Sequence, residues 1–260
     1  MLEKVRHPLK SLLRRALRMP PEKRLYVDKT LFYRYAKHRL GPEAVYVEIG
    51  AATGKSAKIW TEYLGLRPDR CHLVEACPTN ARLLQEKLPG YRVYNYAAMD
   101  RCGEVALSIV DKPADEGSSR SNSLNEGALR AKSKLPIRQV MVQGVTMGEL
   151  FERAGISRCD LLYMNCEGAE YDILNGDVSF LDRVGLFYLD MHMGLFRKAR
   201  TEREMLEMKA AAYDLLASRG FTQIGGHQRK HIFEVSNIHL TSFWENDRLS
   251  SDQPRLAPTQ

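Results

Sequence analysis

The stretch of sequence that decides the fold is Val45-Tyr46-Val47-Glu48-Ile49-Gly50-Ala51-Ala52-Thr53-Gly54. Its first half is a short apolar run rich in β-branched residues, which is typical of a buried parallel strand. The run ends in an acid and a Gly-x-x-x-Gly turn, and residues 55–64 follow with apolar side chains at helical spacing. A strand, a glycine turn and a helix in this order predict the start of a doubly wound α/β sheet, which binds ligands beyond the carboxyl ends of its strands.

The glycine turn also indicates which ligand it fits. Its pattern, Glu-x-Gly-x-x-x-Gly, differs from the Gly-x-Gly-x-x-Gly of dinucleotide binders and lacks the Gly-Lys-Ser/Thr ending of a phosphate-binding P-loop. Gly50 and Gly54 let the backbone approach a ligand closely. Glu48, two residues before Gly50, suits a ligand with a positive amino group; S-adenosylmethionine has one and NAD does not. The alternative is a tight strand-to-helix turn without a ligand.

Length and composition set the broad class of the protein. The chain has 260 residues, 44% of them hydrophobic, which suits one large domain or one domain with an arm. It contains no run of 18 apolar residues, and its N-terminus lacks the apolar core of a signal peptide, so we expect a cytoplasmic protein. The five cysteines form no Cys-x-x-Cys pair, which indicates reduced thiols and argues against a zinc site; we predict no metal site.

The net charge of +7 is distributed unevenly along the chain. Of 39 Lys/Arg and 32 Asp/Glu, residues 1–40 hold 12 and 3, which leaves 27 and 29 for the remainder. We therefore divide the chain into a basic helical arm (1–42), a near-neutral domain (43–245) and a polar tail (246–260). A near-neutral domain argues against a nucleic-acid-binding face, so no specific nucleic acid is expected as a partner. Oligomeric state stays open.

Residues 9–18 of the arm have leucines on one helical face and Lys or Arg on the other. This pattern favours peripheral contact with the anionic inner face of a membrane. The alternative is a helix that packs its leucines on the domain while its charges meet water.

A second strand, residues 71–74, runs into Glu75. Glu75 lies 25 positions after Gly50, close to the spacing at which an acid accepts both ribose hydroxyls of a bound nucleoside. Residues 93–99 are predicted as the third strand, and the small residues near its end leave room for an adenine ring. The predicted cofactor-binding residues are Glu48, Gly50, Ala51, Thr53, Gly54, Glu75, Ala76, Ala98 and Met99.

Two later buried strands end in polar side chains that suit the acceptor side of a reaction. Residues 159–164 lead to Asn165 and Glu167, and residues 184–189 lead to Asp190 and His192. Carboxyl ends of neighbouring parallel strands meet at one edge, so we expect these four side chains to converge. His192 is the first choice for a general base because histidine titrates near neutrality, with Glu167 second. Asp190 orients His192 if strand geometry allows. The alternative is a structural histidine.

Two further segments carry expectations. Residues 111–136 are polar and aperiodic, and so long a loop in a compact domain predicts a mobile lid or, alternatively, a solvated insertion. Residues 221–224 and 231–235 are predicted to form the closing antiparallel pair of the sheet.

At three places the sequence resembles the FkbM family of methyltransferases. Residues 48–54 resemble the family's Asp-x-Gly-Ala-Asn-x-Gly motif, and Tyr163-Met164-Asn165-Cys166-Glu167-Gly168-Ala169-Glu170 resembles its Lys-x-Asp-x-Glu-Gly-Ala-Glu motif. Residues 73–78 are similar to its Phe-Glu-Pro stretch. The resemblance covers roughly residues 44–240. It implies a class I, Rossmann-like fold of seven strands with helices on both faces, S-adenosylmethionine as cofactor, and O-methylation, often of sugars in glycans or natural products.

This chain departs from the family motifs at three positions. Ala52 replaces Asn, Tyr163 replaces Lys and Asn165 replaces Asp. The loss of an acid leaves three alternatives open: a base elsewhere, a different acceptor, or a non-catalytic protein that binds S-adenosylmethionine. RNA methylation guided by the basic arm is a weaker alternative, since the chain has no Asn/Asp-Pro-Pro-Tyr/Phe motif.

Overall fold

The computed structural model describes residues 29–110, 134–192, 201–229 and 239–250, together with Leu124, Glu126 and Arg130. Residues 9–18, most of the loop 111–136 and the end of the tail lie outside the described residues, so the expectations of a membrane-binding helix and a lid stay predictions. Among the described helices, none is long and apolar enough to cross a membrane. All five cysteines are described, and none of them is in a disulfide.

The described residues form seven α-helices and ten strands. The helices are α1 (Lys29–Arg39), α2 (Lys55–Leu64), α3 (Pro78–Lys87), α4 (Met147–Ala154), α5 (Glu170–Asn175), α6 (Glu202–Ser218) and α7 (Asp247–Ser250). The strands are β1 (Tyr46–Ile49), β2 (Cys71–Val74), β3 (Arg92–Tyr94), β4 (Ala97–Ala98), β5 (Gly103–Val110), β6 (Ile137–Val145), β7 (Cys159–Met164), β8 (Val184–Met191), β9 (Phe221–Arg229) and β10 (His239–Asn246).

The main sheet has seven strands in the order β3-β2-β1-β7-β8-β10-β9. All neighbouring pairs are parallel except those that β10 makes with β8 and β9. The predicted fold class, a mostly parallel sheet with an antiparallel closing strand, is therefore confirmed. The chain reverses its direction of travel across the sheet between β1 and β7, and a crevice for ligands forms at such a switch point.

Helices cover both faces of this sheet. On one face Tyr46, Tyr188 and Phe243 pack under α1 and α2, where Phe32 stacks on Phe243 with ring centroids 4.4 Å apart. The opposite face packs under α4, α5 and α6. Phe32 is buried, so α1, which falls within the segment predicted as an arm, contacts the domain core. The division of the chain into arm, domain and tail otherwise stays a prediction.

The predicted third strand, residues 93–99, is wrong as one strand. Arg92–Tyr94 joins the main sheet, whereas Ala97–Ala98 pairs with β6 in a second sheet of order β4-β6-β5. The chain leaves the main sheet at Asn95, whose Nδ2 donates to the carbonyl oxygens of Glu75 and Ala76 at 2.8 and 3.0 Å. The Asn95 side chain thus satisfies two consecutive carbonyls just beyond β2.

The predicted partner of the strand at residues 221–224 is also wrong. Phe221–Arg229 pairs with His239–Asn246, and residues 231–235 lie outside the described residues. Phe243 and Trp244 explain the pairing, because they bury their rings in the cores on opposite faces of the sheet. The register shifts between these two residues.

Candidate active site

The turn after β1 is bonded to the strands on both sides. The amides of Gly50 and Ala51 donate to the carbonyl of Val74 at 2.9 and 3.1 Å. Gly50 has φ +83°, and a Cβ at this position would lie 2.0 Å from the carbonyl oxygen of Asn165. The backbone that follows β7 therefore approaches so closely that glycine is required here, whether or not a ligand also requires it.

Gly54 serves helix packing. It has φ +76°, and an added Cβ would lie 2.5 Å from Leu88 Cδ1 and 2.8 Å from Leu84 Cδ2. The second glycine of the motif thus lets α3 pack against the start of α2. The structure does not place Gly54 on the wall of the neighbouring cavity.

A cavity of about 280 Å³ opens at the carboxyl ends of β1, β2 and β7. Of the nine predicted cofactor-binding residues, seven line it; Gly54 and Met99 do not. The seven are Glu48, Gly50, Ala51, Thr53, Glu75, Ala76 and Ala98. Sequence reasoning missed several lining residues, namely Lys55, Ser56, Asn80, Tyr96, Leu107 and Leu124. Lys55 and Ser56 follow the glycine turn directly and could have been found, whereas Tyr96 and Leu107 depend on the second sheet.

Two buried carboxylates stand on the cavity wall. Glu75 accepts the amide of Ala52 at 2.7 Å on Oε2 and that of Cys77 at 2.9 Å on Oε1. Burial raises the pKa of Glu75, and these amides oppose that rise only in part. Oε1 also accepts a hydrogen bond from Asn80 Nδ2 at 3.4 Å, whereas Oε2 can accept a second one, which leaves capacity for a ligand hydroxyl. Glu48 accepts a hydrogen bond from the Tyr46 hydroxyl at 2.8 Å.

Asn165 and Glu167 line the opposite part of the wall. Asn165 Nδ2 donates to the hydroxyl of Tyr163 at 2.8 Å, and the Tyr163 ring stacks on Tyr188 with centroids 4.4 Å apart. Two of the three departures from the family motifs are thus bonded directly to each other. A neutral amide–phenol pair stands where the family motif has Lys and Asp.

The backbone at Glu167 is unusual, with φ +51° in a residue that has a side chain. Such conformations cost roughly 1–3 kcal/mol and persist where surrounding structure enforces them. Here Glu170 enforces it, because its carboxylate accepts the amides of Cys166 at 2.8 Å and Gly168 at 3.0 Å, on either side of Glu167. The turn presents Glu167 to the cavity.

His192 lies behind Glu167 and does not itself line the cavity. Its Nδ1 is 2.7 Å from Glu170 Oε1, and its Nε2 is 3.7 Å from Glu167 Oε1. Burial would lower the pKa of His192, but the carboxylate of Glu170 outweighs burial and raises this pKa to about 9. The same pairing overcomes the burial of Glu170 and lowers the pKa of its carboxyl group.

The orienting carboxylate differs from the predicted one. Glu170 hydrogen-bonds Nδ1 of His192, while Asp190 Oδ1 accepts a hydrogen bond from Thr241 Oγ1 at 2.8 Å. Sequence reasoning missed Glu170, although it is the last residue of the Glu-Gly-Ala-Glu motif. Among the described residues, no cluster of three or more His, Cys, Asp or Glu side chains is placed to hold a metal ion.

The sheet order is that of the class I methyltransferase fold, and a cavity with two acids lies at its switch point. The model of the methyltransferase FkbM domain matches residues 48–222, and the chain belongs to that family. The matched residues thus form an S-adenosylmethionine-dependent methyltransferase domain, whose cofactor is S-adenosylmethionine. No curated protein matches the chain.

Several solved structures of low sequence identity are similar to this chain. The methyltransferase FkbM from Methylobacillus flagellatus KT is 14% identical with a TM-score of 0.47, and the match covers 78% of this chain and 44% of that one. This chain thus spans less than half of that protein. Aeropyrum pernix fibrillarin with natively bound S-adenosyl-L-methionine is 12% identical over 83% of this chain and 74% of that one, with a TM-score of 0.42. An rRNA methylase from Streptococcus thermophilus is 10% identical over 83% and 94%, with a TM-score of 0.44.

The donor set on the cavity wall fits S-adenosylmethionine. Glu75 Oε2 keeps acceptor capacity suited to a ribose hydroxyl, and Glu48 offers a carboxyl group suited to the amino group. The small side chain of Ala98 leaves space for a flat ring.

Proposed function

We propose that this methyltransferase acts on a hydroxyl group of a sugar, a glycan or a glycosylated natural product. The observation that carries the proposal is the placement of Glu167, which lines the cavity in a strained conformation with His192 3.7 Å behind it. A sugar hydroxyl is a weak nucleophile at neutral pH, and a positioned base speeds its reaction by about 10²–10⁴. A carboxylate at the edge of the cofactor cavity meets that need.

When bound, S-adenosylmethionine would supply the methyl group for the acceptor oxygen, and the electron pair of its S–CH₃ bond would stay on sulfur. We assign Glu75 to the ribose hydroxyls, Glu48 to the amino group and Ala98 to the side of the adenine. Alignment of the reacting atoms supplies most of the rate enhancement of such a transfer.

The raised pKa of His192 makes Glu167 the better base. With a pKa of about 9, the imidazole holds both of its protons at neutral pH and has no lone pair for another. Glu167 takes the proton of the acceptor hydroxyl, and the imidazolium behind it balances its charge. The amide oxygen of Asn165, whose Nδ2 is engaged by Tyr163, serves as a hydrogen-bond acceptor for the same hydroxyl.

Label transfer from S-[methyl-³H]adenosylmethionine tests this proposal. The protein is incubated with mono- and oligosaccharides, glycosylated small molecules, and RNA as a comparison. Label should enter a carbohydrate hydroxyl, with stoichiometric S-adenosylhomocysteine, and Glu167→Gln should reduce the rate by about 10²–10⁴. Transfer to RNA alone would contradict the proposal.

The absence of the family's Asp at position 165 favours a second candidate, a non-catalytic protein that binds S-adenosylmethionine. Under that alternative the protein binds the cofactor in calorimetry but forms S-adenosylhomocysteine no faster with any acceptor than without one. Acceptor-dependent turnover excludes it.

For the arm we propose contact with an anionic membrane surface, supported by the leucine and basic faces of residues 9–18. Deletion of residues 1–20 should abolish cosedimentation with phosphatidylglycerol vesicles at low salt without changing cofactor affinity. Failure of the full chain to bind these vesicles would favour packing of the arm on the domain.

A further inference from the structure

The Glu170 carboxylate connects two parts of the site that are distant in sequence. One part is the turn at Glu167, through the amides of Cys166 and Gly168; the other is His192 after β8. Glu170 is only 1% exposed, so these bonds form with little competition from water. A buried carboxylate without such partners would be strongly unfavourable, which indicates that its contacts hold it in one arrangement.

We propose that Glu170 is a positioning residue for methyl transfer: it closes the turn that presents Glu167 to the cavity and fixes the Nδ1 proton of His192, so that Nε2 faces Glu167. Glu170 is not on the cavity wall, so it acts through these two groups. The inference rests on the proposed function only for its effect on turnover. The arrangement itself can be tested without an acceptor.

The charges around the imidazole determine the direction in which each variant should shift the pKa of His192. The groups that act on the imidazole are Glu170 on α5, Glu167 in the preceding turn and Asp190 on β8, and Glu170 is the nearest. Removing the charge of Glu170 leaves burial to dominate, and burial favours the neutral imidazole. Removing the charge of Glu167 should lower the pKa of His192 less, because its Oε1 lies 3.7 Å from Nε2.

The test follows the imidazole ¹⁵N resonances of His192 against pH in the full chain, with His192→Gln for assignment. In the wild type, the midpoint of the His192 titration should lie near pH 9. In Glu170→Gln it should fall below the ordinary value of about 6.5, and in the matched variant Glu167→Gln it should fall less. Glu170→Asp keeps the charge and should restore a midpoint above 6.5. Thermal unfolding of each variant checks that it is folded.

Several results would overturn the inference. A wild-type midpoint at or below about 6.5 does so even if Glu170→Gln does not fold. Equal shifts in Glu170→Gln and Glu167→Gln, or no rescue by Glu170→Asp, also contradict it. With an acceptor in hand, Glu170→Gln should lower kcat and change the pH profile. If the ¹⁵N results hold and no acceptor is methylated, the proposed function fails while the arrangement around Glu170 stands.

Discussion

Replacing Gly50 by alanine should destabilise the protein far more than the same change at Gly65. Both glycines have positive φ, +83° and +73°, so an alanine at either position pays about 1–2 kcal/mol for a left-handed backbone. At Gly65 an added Cβ meets nothing within 4 Å. At Gly50 it lies 2.0 Å from the carbonyl oxygen of Asn165, so the backbone must shift.

The cost of this overlap sets the expected magnitude. Forcing an extra carbon into packed structure typically costs about 1–3 kcal/mol. Gly50→Ala should therefore lose about 2–5 kcal/mol of a total stability of about 5–15 kcal/mol, against about 1–2 kcal/mol for Gly65→Ala. The same shift should weaken binding of S-adenosylhomocysteine, because the turn lines the cavity.

Urea unfolding followed by tryptophan fluorescence measures both losses, with Trp60 and Trp244 as probes in the two cores. The midpoints are compared at equal slope, since a changed slope signals a change in the unfolded state. If the two variants lose the same free energy within about 0.5 kcal/mol, the contact between Gly50 and Asn165 does not set the requirement for glycine.

Three other measurements test the site and its surroundings. Glu75→Gln should weaken S-adenosylhomocysteine binding about 10- to 100-fold in calorimetry, because it removes a charged acceptor; unchanged affinity would exclude Glu75 from the cofactor site. His192→Ala should lower turnover by less than the factor of about 10²–10⁴ expected for loss of the base Glu167, because it removes only the imidazolium beside that carboxylate; cofactor affinity should stay nearly unchanged, and full activity would make this histidine structural. Burial lowers the pKa of His72 to about 4, so the stability associated with its neutral form is present above about 6.5 and lost as pH falls toward 4. The urea midpoint should fall across this pH range in the wild type and should fall less in His72→Gln. An equal fall in both proteins would contradict the assignment of this pH dependence to His72.

The first strand, the glycine turn and α2 could be predicted because their signals are local. The helix occupies Lys55–Leu64, the residues that the periodicity predicts. The acids at 48 and 75 likewise end strands whose apolar runs are visible in the sequence. What local pattern does not show is that the carbonyl of Asn165, just after β7 and more than 100 residues further along the chain, requires glycine at position 50.

The partner of His192 could not be read from strand periodicity. Residues two apart on a strand share a face, which pointed to Asp190. Glu170 reaches the imidazole because the turn at Glu167 bends the chain back toward β8, and a positive φ in a glutamate has no signature in a single sequence. The last strand pair was misplaced for a related reason: Phe243 and Trp244 are both buried, so β10 lacks the alternation of a half-exposed strand.

A crystal structure of the full chain with S-adenosylhomocysteine would test the assignment of the cofactor site most directly. We expect the ribose hydroxyls to lie on the Glu75 carboxylate and the amino group to lie beside Glu48. The sulfur should be directed toward Asn165 and Glu167, with space for an acceptor hydroxyl next to Glu167. Binding outside this cavity, or a sulfur that faces away from Glu167, would contradict this assignment.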